Sequence, residues 1–356
     1  MRLIFTCGGT AGHIYPAVAL AEIVRSRHPN AEILFVGARD GMETKLVPKE
    51  GYPIRTVTAR RLRHSLSPKA LAYNVKTAAG LLKSRKEARE ILLDFKPDMV
   101  IGTGGYASYP ITAEAARMKI PTAVHESNAM PGWTTRALAP KVTHMLVSFE
   151  DSQKYYKRAT EVVGTPVRGD FLMSPKSDTE KPLLVTFWGS LGARDMNAMI
   201  DEFVKLEIAD GVPFRHIHAF GKSYAREASE LPKDIELREF IYDMPSVMSA
   251  ADLLICRAGA STLAEICAAG KPSILVPSPN VTHNHQEPNA RVLERAGAAA
   301  VLLEGGLDGA ALYARAKALL ADKKRLEAMG RAARGLAVND SAERIYQLIM
   351  REITNI

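Results

Sequence analysis

Two stretches, "LIFTCGGTAGHIYPAVALAE" near the start and "LLVTFWGSLGARDMNAMIDEF" midway, most restrict how this chain folds. Each runs from a short apolar segment through a glycine turn into a helical pattern, the opening of a doubly wound parallel sheet. The alternation continues behind both. Strand-like runs are read at Leu3–Thr6, Glu32–Val36, Met99–Gly102, Thr122–His125 and His144–Ser148 in the first half. In the second they fall at Leu183–Phe187, Arg215–Ala219, Leu253–Cys256, Ser273–Val276 and Ala299–Leu302. Helical patterns between them predict an α/β chain whose parallel sheets are covered on both faces. "VVGTPVRGDFLMSPKSDTEKP", rich in proline, glycine and charge, reads as a linker. The expected domains are therefore 1–164 and 165–340, with a last helix over 341–356.

Bulk properties agree with two domains. The 356 residues exceed what one hydrophobic core usually serves. No apolar run approaches the ~20 residues that span a bilayer, and the short Leu3–Phe5 run is no signal peptide. Three cysteines, Cys7, Cys256 and Cys267, form no C-x-x-C and read as reduced thiols of a cytosolic protein. A net charge of +8 attracts polyanions. Without zinc-finger spacing or an RNP-like aromatic motif, an anionic membrane face is the better candidate than nucleic acid.

The turns carry the chemistry. Gly8, Gly9 and Gly12 allow close backbone approach to a ligand, and Pro16 suits the first turn of the helix that follows. The N-terminus of that helix is a natural phosphate seat. "GTGGYAS", "WGSLGA" and "CRAGASTLAE" repeat the device after other strands, where ligands of doubly wound sheets bind. "GGTAGH" is not G-x-G-x-x-G, Gly37 stands where an NAD-binding acid is expected, and no P-loop motif occurs. A nucleotide ligand survives this test and NAD does not. Glu265, on the opening turns of its helix, suits either a ribose diol or the helix dipole. His13 sits at a helix start that favours the neutral imidazole, a candidate general base if not structural. "HNH" with Glu287 fits no strong metal template, and no D-x-D occurs, so no cofactor or required metal is expected.

"GGTAGHIYPAVALA", "GTGGYASYP", "VHESNAMPG", "VVGTPVR", "WGSLGAR", "CRAGASTLAEICAAGKPSILVP" and "NHQEPNA" together resemble the MurG family, across essentially the whole chain. These bacterial enzymes transfer N-acetylglucosamine from UDP-N-acetylglucosamine to lipid I, giving lipid II for peptidoglycan. Ala11 and Trp188 depart from the family's glycines. The resemblance implies a GT-B fold of two Rossmann-like domains facing a deep cleft, with the last helix returning to the N-terminal domain. It places the donor mainly on the C-terminal domain and the acceptor and membrane on the N-terminal one. Thr10, Ala11 and Gly12 would lie beside the donor sugar and diphosphate, with Asn128 on the sugar. Arg168 and Ser190 would meet the diphosphate, Ile241 the uracil and Gln286 the sugar hydroxyls. Ala260, Ser261, Thr262, Leu263, Ala264 and Glu265 would wrap phosphate, sugar and ribose, with Glu265 on the ribose hydroxyls. His13 would take the proton of the attacking hydroxyl in an inverting displacement, with Glu126 as runner-up.

Location follows from the polyprenyl-linked acceptor: the cytoplasmic face of the plasma membrane, held peripherally, beside other cell-wall or division proteins. In a helix over Lys69–Arg85, Leu71, Val75, Ala78 and Leu82 share one face and Lys69, Lys76 and Lys83 the other. That apolar stripe either enters the core or, with Arg60, Arg61 and Arg63, meets anionic lipid. The rival functions are another GT-B lipid glycosyltransferase, a UDP-N-acetylglucosamine 2-epimerase and a non-catalytic UDP-sugar scaffold.

Overall fold

A computed structural model describes residues 1–60, 67–167, 171, 180–189, 192–221, 230–281 and 284–354. The first part of the chain runs β1 (Arg2–Thr6), α1 (Ala11–Arg27), β2 (Glu32–Ala38), α2 (Glu43–Lys49), β3 (Ile54–Val57) and α3 (Pro68–Phe95). It continues through β4 (Met99–Gly102), α4 (Ser108–Arg117), β5 (Thr122–Glu126), α5 (Trp133–Leu138), β6 (His144–Val147) and β7 (Glu161–Val162). The second part runs β8 (Leu183–Phe187), α6 (Arg194–Ala209), β9 (Arg215–Ala219), β10 (Ile235–Arg238), α7 (Met244–Ala250), β11 (Leu253–Cys256) and α8 (Ala260–Ala269). It ends with β12 (Ser273–Leu275), α9 (Gln286–Arg295), β13 (Ala299–Val301), α10 (Gly309–Leu320), α11 (Lys323–Gly335) and α12 (Ser341–Thr354).

Contacts divide the chain into two units, Met1–Val167 with Asn339–Ile356, and Arg168–Val338. The boundary falls after Val167 rather than Gly164. His125 Nε2 donates to Gly164 O at 2.7 Å, and Ser148 Oγ lies 2.6 Å from Thr165 Oγ1, so these residues stay with the first unit.

In the first unit all strand pairs are parallel, in the order β3-β2-β1-β4-β5-β6-β7. The two-residue period of β1 sends Leu3 and Phe5 into the cluster shared with α1 and α12, and Ile4 into that of α3 and α4. Ile345, Leu348 and Ile349 of α12 are fully or almost fully buried there. The helix is latched to α1 by a two-pronged Arg27–Glu343 ion pair and by His28 Nε2 against Tyr346 Oη at 2.9 Å. The second unit is also wholly parallel, β10-β9-β8-β11-β12-β13, around Leu184, Phe203, Phe214 and Ile255.

Strand order reverses direction between β1 and β4, and again between β8 and β11. These are the switch points at which doubly wound sheets bind ligands. All four glycine turns singled out in the sequence follow the strands that flank them. All ten expected strands form, with ends moved by a residue or two. Among the described residues three were not expected: β3, β7 and β10, each an edge strand. One further expectation is corrected. α1 begins at Ala11, so Pro16 lies in its second turn and withholds the helical bond from Gly12 O.

The three thiols are buried and unpaired with one another, and burial is the main force pushing each up; Cys267 reaches about 12. Such thiols are inert. Among the described residues no helix is long and apolar enough to cross a membrane.

Candidate functional site

At the first switch point the turns after β1 and β4 lie against each other. A side chain at Gly105 (φ +81°) would collide with Gly8 O, and one at Gly104 would meet His13 Nδ1 at 2.8 Å. His13, half-buried in the first turn of α1, is held at both ends. Thr103 Oγ1 donates to His13 O at 2.6 Å, and His13 Nδ1 lies 3.1 Å from Thr103 O. A carbonyl only accepts, so Nδ1 carries the proton. In the neutral ring Nε2 is then the basic nitrogen. Thr10 is exposed and caps α1 without a side-chain hydrogen bond; Ala11 and Gly12 are half-buried beside it.

Glu126, at the end of β5, is 2% exposed and its carboxylate is filled by its own loop. Oε1 accepts from Asn128 N and Asn128 Nδ2, each at 2.9 Å. Oε2 accepts from Gly132 N at 2.9 Å and from Thr135 Oγ1. Four donors on one carboxylate make a loop bracket that orients the Asn128 amide. His125, fully buried, is kept neutral chiefly by desolvation.

At the second switch point α8 starts at Ala260 behind Gly259, which lends no side-chain cap. Ala260 and Leu263 face the core, whereas Ser261, Thr262, Ala264 and Glu265 are half-buried. Glu265 lies in the second turn, beyond the reach of the strongest dipole effect, which weakens the purely helical explanation of this acid. Gln286 opens α9, and its Oε1 accepts from Ser278 N at 2.8 Å, so the side chain presents its Nε2 donor. Ile241 is only 2% exposed, while Tyr242 beside it is 82% exposed and packs edge-on against Phe240. Trp188 lies in the core, with the Arg257 guanidinium 5.8 Å from its ring centre.

Arg168 and Ser190 lie outside the described residues, as do Arg61, Arg63 and His283. Among the described residues no group of three or more histidines, cysteines or acids is placed to hold a metal. Sequence reasoning missed Thr103 and Glu43, which meet the first turn from 90 and 34 residues away in the chain. No local pattern marks such partners. The surplus glycines of "VGARDG" were the available signal for Glu43.

Residues 3–147 match the glycosyltransferase family 28 N-terminal domain, and residues 183–345 match its C-terminal domain. A UDP-N-acetylglucosamine--N-acetylmuramyl-(pentapeptide) pyrophosphoryl-undecaprenol N-acetylglucosamine transferase of Acetivibrio thermocellus is 41% identical, over 98% of this chain and 97% of its own. A relative of the same name in Thermoanaerobacter sp. (strain X514) is 42% identical, over 98% and 99%. Among solved structures, Acinetobacter baumannii MurG is similar with a TM-score of 0.79 and 26% identity, covering 98% of this chain and 99% of its own. The calicheamicin glycosyltransferase CalG4, at 16% identity and a TM-score of 0.71 over 98% of both chains, shares the fold. With both domains matched, two switch points of GT-B type and relatives this similar over nearly their full length, the chain belongs to glycosyltransferase family 28, in the group of UDP-N-acetylglucosamine--N-acetylmuramyl-(pentapeptide) pyrophosphoryl-undecaprenol N-acetylglucosamine transferases.

Proposed function

We propose that the protein transfers N-acetylglucosamine from UDP-N-acetylglucosamine to the 4-hydroxyl of the N-acetylmuramyl unit of lipid I, with inversion, giving lipid II. The observation that carries the chemistry is the Nδ1–H of His13 on Thr103 O, which makes Nε2 the proton acceptor. In this reading the hydroxyl oxygen attacks the anomeric carbon and its proton passes to Nε2. The bond from that carbon to the diphosphate breaks, and UDP leaves with the electron pair. The first unit takes the acceptor through the turn at Thr10, Ala11 and Gly12, and Asn128 contacts the donor sugar. The second unit holds the donor. Ser261, Thr262 and Ala264 lie along its phosphate and sugar, Glu265 grips the ribose diol and Gln286 the sugar hydroxyls. Ala260, Leu263 and Ile241 serve by shape and backbone, since their side chains are buried. The α8 N-terminus, with Arg168 and Ser190, stabilises the leaving diphosphate.

The sequence has no D-x-D, which supports transfer without a required metal. Incubation with UDP-N-acetylglucosamine and a lipid I analogue, with and without EDTA, tests both points. Disaccharide product and UDP release that persist in chelator are expected. Complete, metal-reversible loss would refute the metal-free leaving group, and absence of both products would favour a non-catalytic scaffold.

Membrane attachment is read from α3. Leu71 and Leu82, three helical turns apart on one face, are 65% and 75% exposed. Lys69, Lys83 and Lys86 are exposed on the same helix. Two exposed leucines with exposed cations on the same helix suit the anionic, cytoplasmic face of the plasma membrane.

A further inference from the structure

Glu43 is fully buried at the start of α2, beneath the turn that carries His13. Its Oε1 accepts from Ala38 N at 2.8 Å, at the end of β2, and its Oε2 from Gly9 N at 3.3 Å. Three glycines make room for it. A Cβ at Gly8 would lie 2.5 Å from Oε1, and one at Gly37 or Gly41 would run into the same side chain. The carboxylate therefore sits in a cradle with no side-chain walls on three sides and two backbone N–H groups aimed inward.

We infer that Glu43 is a positioning residue that fills, from inside the protein, the anion seat of the first glycine turn. Turns of this kind commonly leave backbone N–H groups for a ligand's phosphate. Here the Gly9 N–H is committed inward, and Gly9 is held at φ +88° by a partner from the chain itself. The turn thus enters catalysis already shaped, with Thr103 fixing the ring of His13 and Glu43 fixing the backbone before it. Preset geometry of this kind favours turnover over ground-state affinity.

The inference rests on the transferase reading, and the test separates the two. Glu43→Ala leaves a carboxylate-sized cavity with both donors still aimed into it. The variant should keep the wild-type affinity for UDP within about twofold and lose at least about tenfold in kcat. Sodium formate should restore much of that kcat in a saturable way, while leaving wild type and His13→Ala unchanged. Formate should also raise the Tm of Glu43→Ala and not that of wild type, as binding to the folded state requires. This last readout needs no acceptor. Wild type without transfer activity would sink the transferase reading and leave the seat testable by Tm alone. If Glu43→Ala fails to fold, Glu43→Gln keeps the shape and turns an amide donor onto one of the two N–H groups. It should show the same kcat loss at unchanged UDP affinity. Full activity in either variant, parallel loss of UDP affinity, or a folded Glu43→Ala with no response to formate would overturn the inference.

Discussion

His13 and Glu126 are candidates for the same proton, and their hydrogen-bond partners separate them. Glu126 has four donors on two oxygens, so taking a proton means breaking a bond to Asn128, Gly132 or Thr135. Each such bond to a charged group is worth about 1.5–3 kcal/mol. His13 has its donor nitrogen occupied and its basic nitrogen defined. His13→Ala should cut turnover by roughly 10²-fold or more while leaving UDP-N-acetylglucosamine binding nearly intact, as separate kcat and Kd measurements will show. Equal losses in both would make the histidine structural. Glu265→Ala should weaken UDP binding by on the order of 1–3 kcal/mol, the worth of a charge-assisted pair of bonds. An unchanged calorimetric Kd would remove Glu265 from the ribose. Both residues stood out in the sequence because each follows a glycine turn. What each touches was not legible, since Thr103 reaches His13 across 90 residues.

At the scale of elements, α3 and the strands of the second unit behave in opposite ways. On α3 the structure leaves Leu71 and Leu82 in water. Val75, Ala78 and Lys76 lie outside the described side chains. Leu71→Ser with Leu82→Ser should reduce co-sedimentation with anionic vesicles without altering UDP affinity. Residual binding should fall with added salt, because each remaining cation contributes about 1 kcal/mol, screened over a Debye length. Binding equal to that of the parent would exclude this helix as the membrane face. Inside the second unit a buried chain of hydrogen bonds runs from α6 across β9 and β8 and back. Glu207 Oε2 lies 2.8 Å from His216 Nδ1, and His216 Nε2 lies 2.9 Å from Thr186 Oγ1. Thr186 Oγ1 is 2.7 Å from His218 Nδ1, and His218 Nε2 is 3.2 Å from Asn197 Oδ1. Asn197 Nδ2 finally donates to Phe220 O at 2.8 Å, against Gly192 of the glycine turn that follows β8. That last acceptor sets the direction of every bond behind it, so the Glu207–His216 pair must hold a proton between its facing atoms. Burial pushes Glu207 up to about 8, which supplies one. Folding therefore binds a proton at Glu207. Its stabilising effect is complete below the unfolded value near 4.5 and is lost as pH rises through about 8. Glu207→Gln donates without titrating. Between pH 5 and 9, wild type should lose on the order of 4 kcal/mol relative to this variant in urea unfolding. Parallel pH profiles would place the proton elsewhere.

At the scale of the whole molecule, the end of the chain belongs to the core of its beginning. Ile349 of α12 is fully buried with Leu3, Phe5 and Leu20. Ile349→Ala should cost about 2–5 kcal/mol. The loss should appear in the unfolding of the first unit, followed by hydrogen exchange in β1 and α1, with β8 and β11 unmoved. Equal loss of protection in both units would mean that they unfold together. The sequence by itself determined the parallel α/β architecture and the two switch points, because strands covered on both faces must be apolar along their length and glycine turns must follow them. It did not reveal β3, β7 and β10. As edges they carry residues such as Arg55, Glu161 and Glu236, which read as loop. Only the tertiary structure decided that Glu43 fills the first turn, that Glu126 is a bracket and that His13 bears its proton on Nδ1. Periodicity is a local property written residue by residue, whereas a buried polar group is defined by partners that the fold brings from far along the chain.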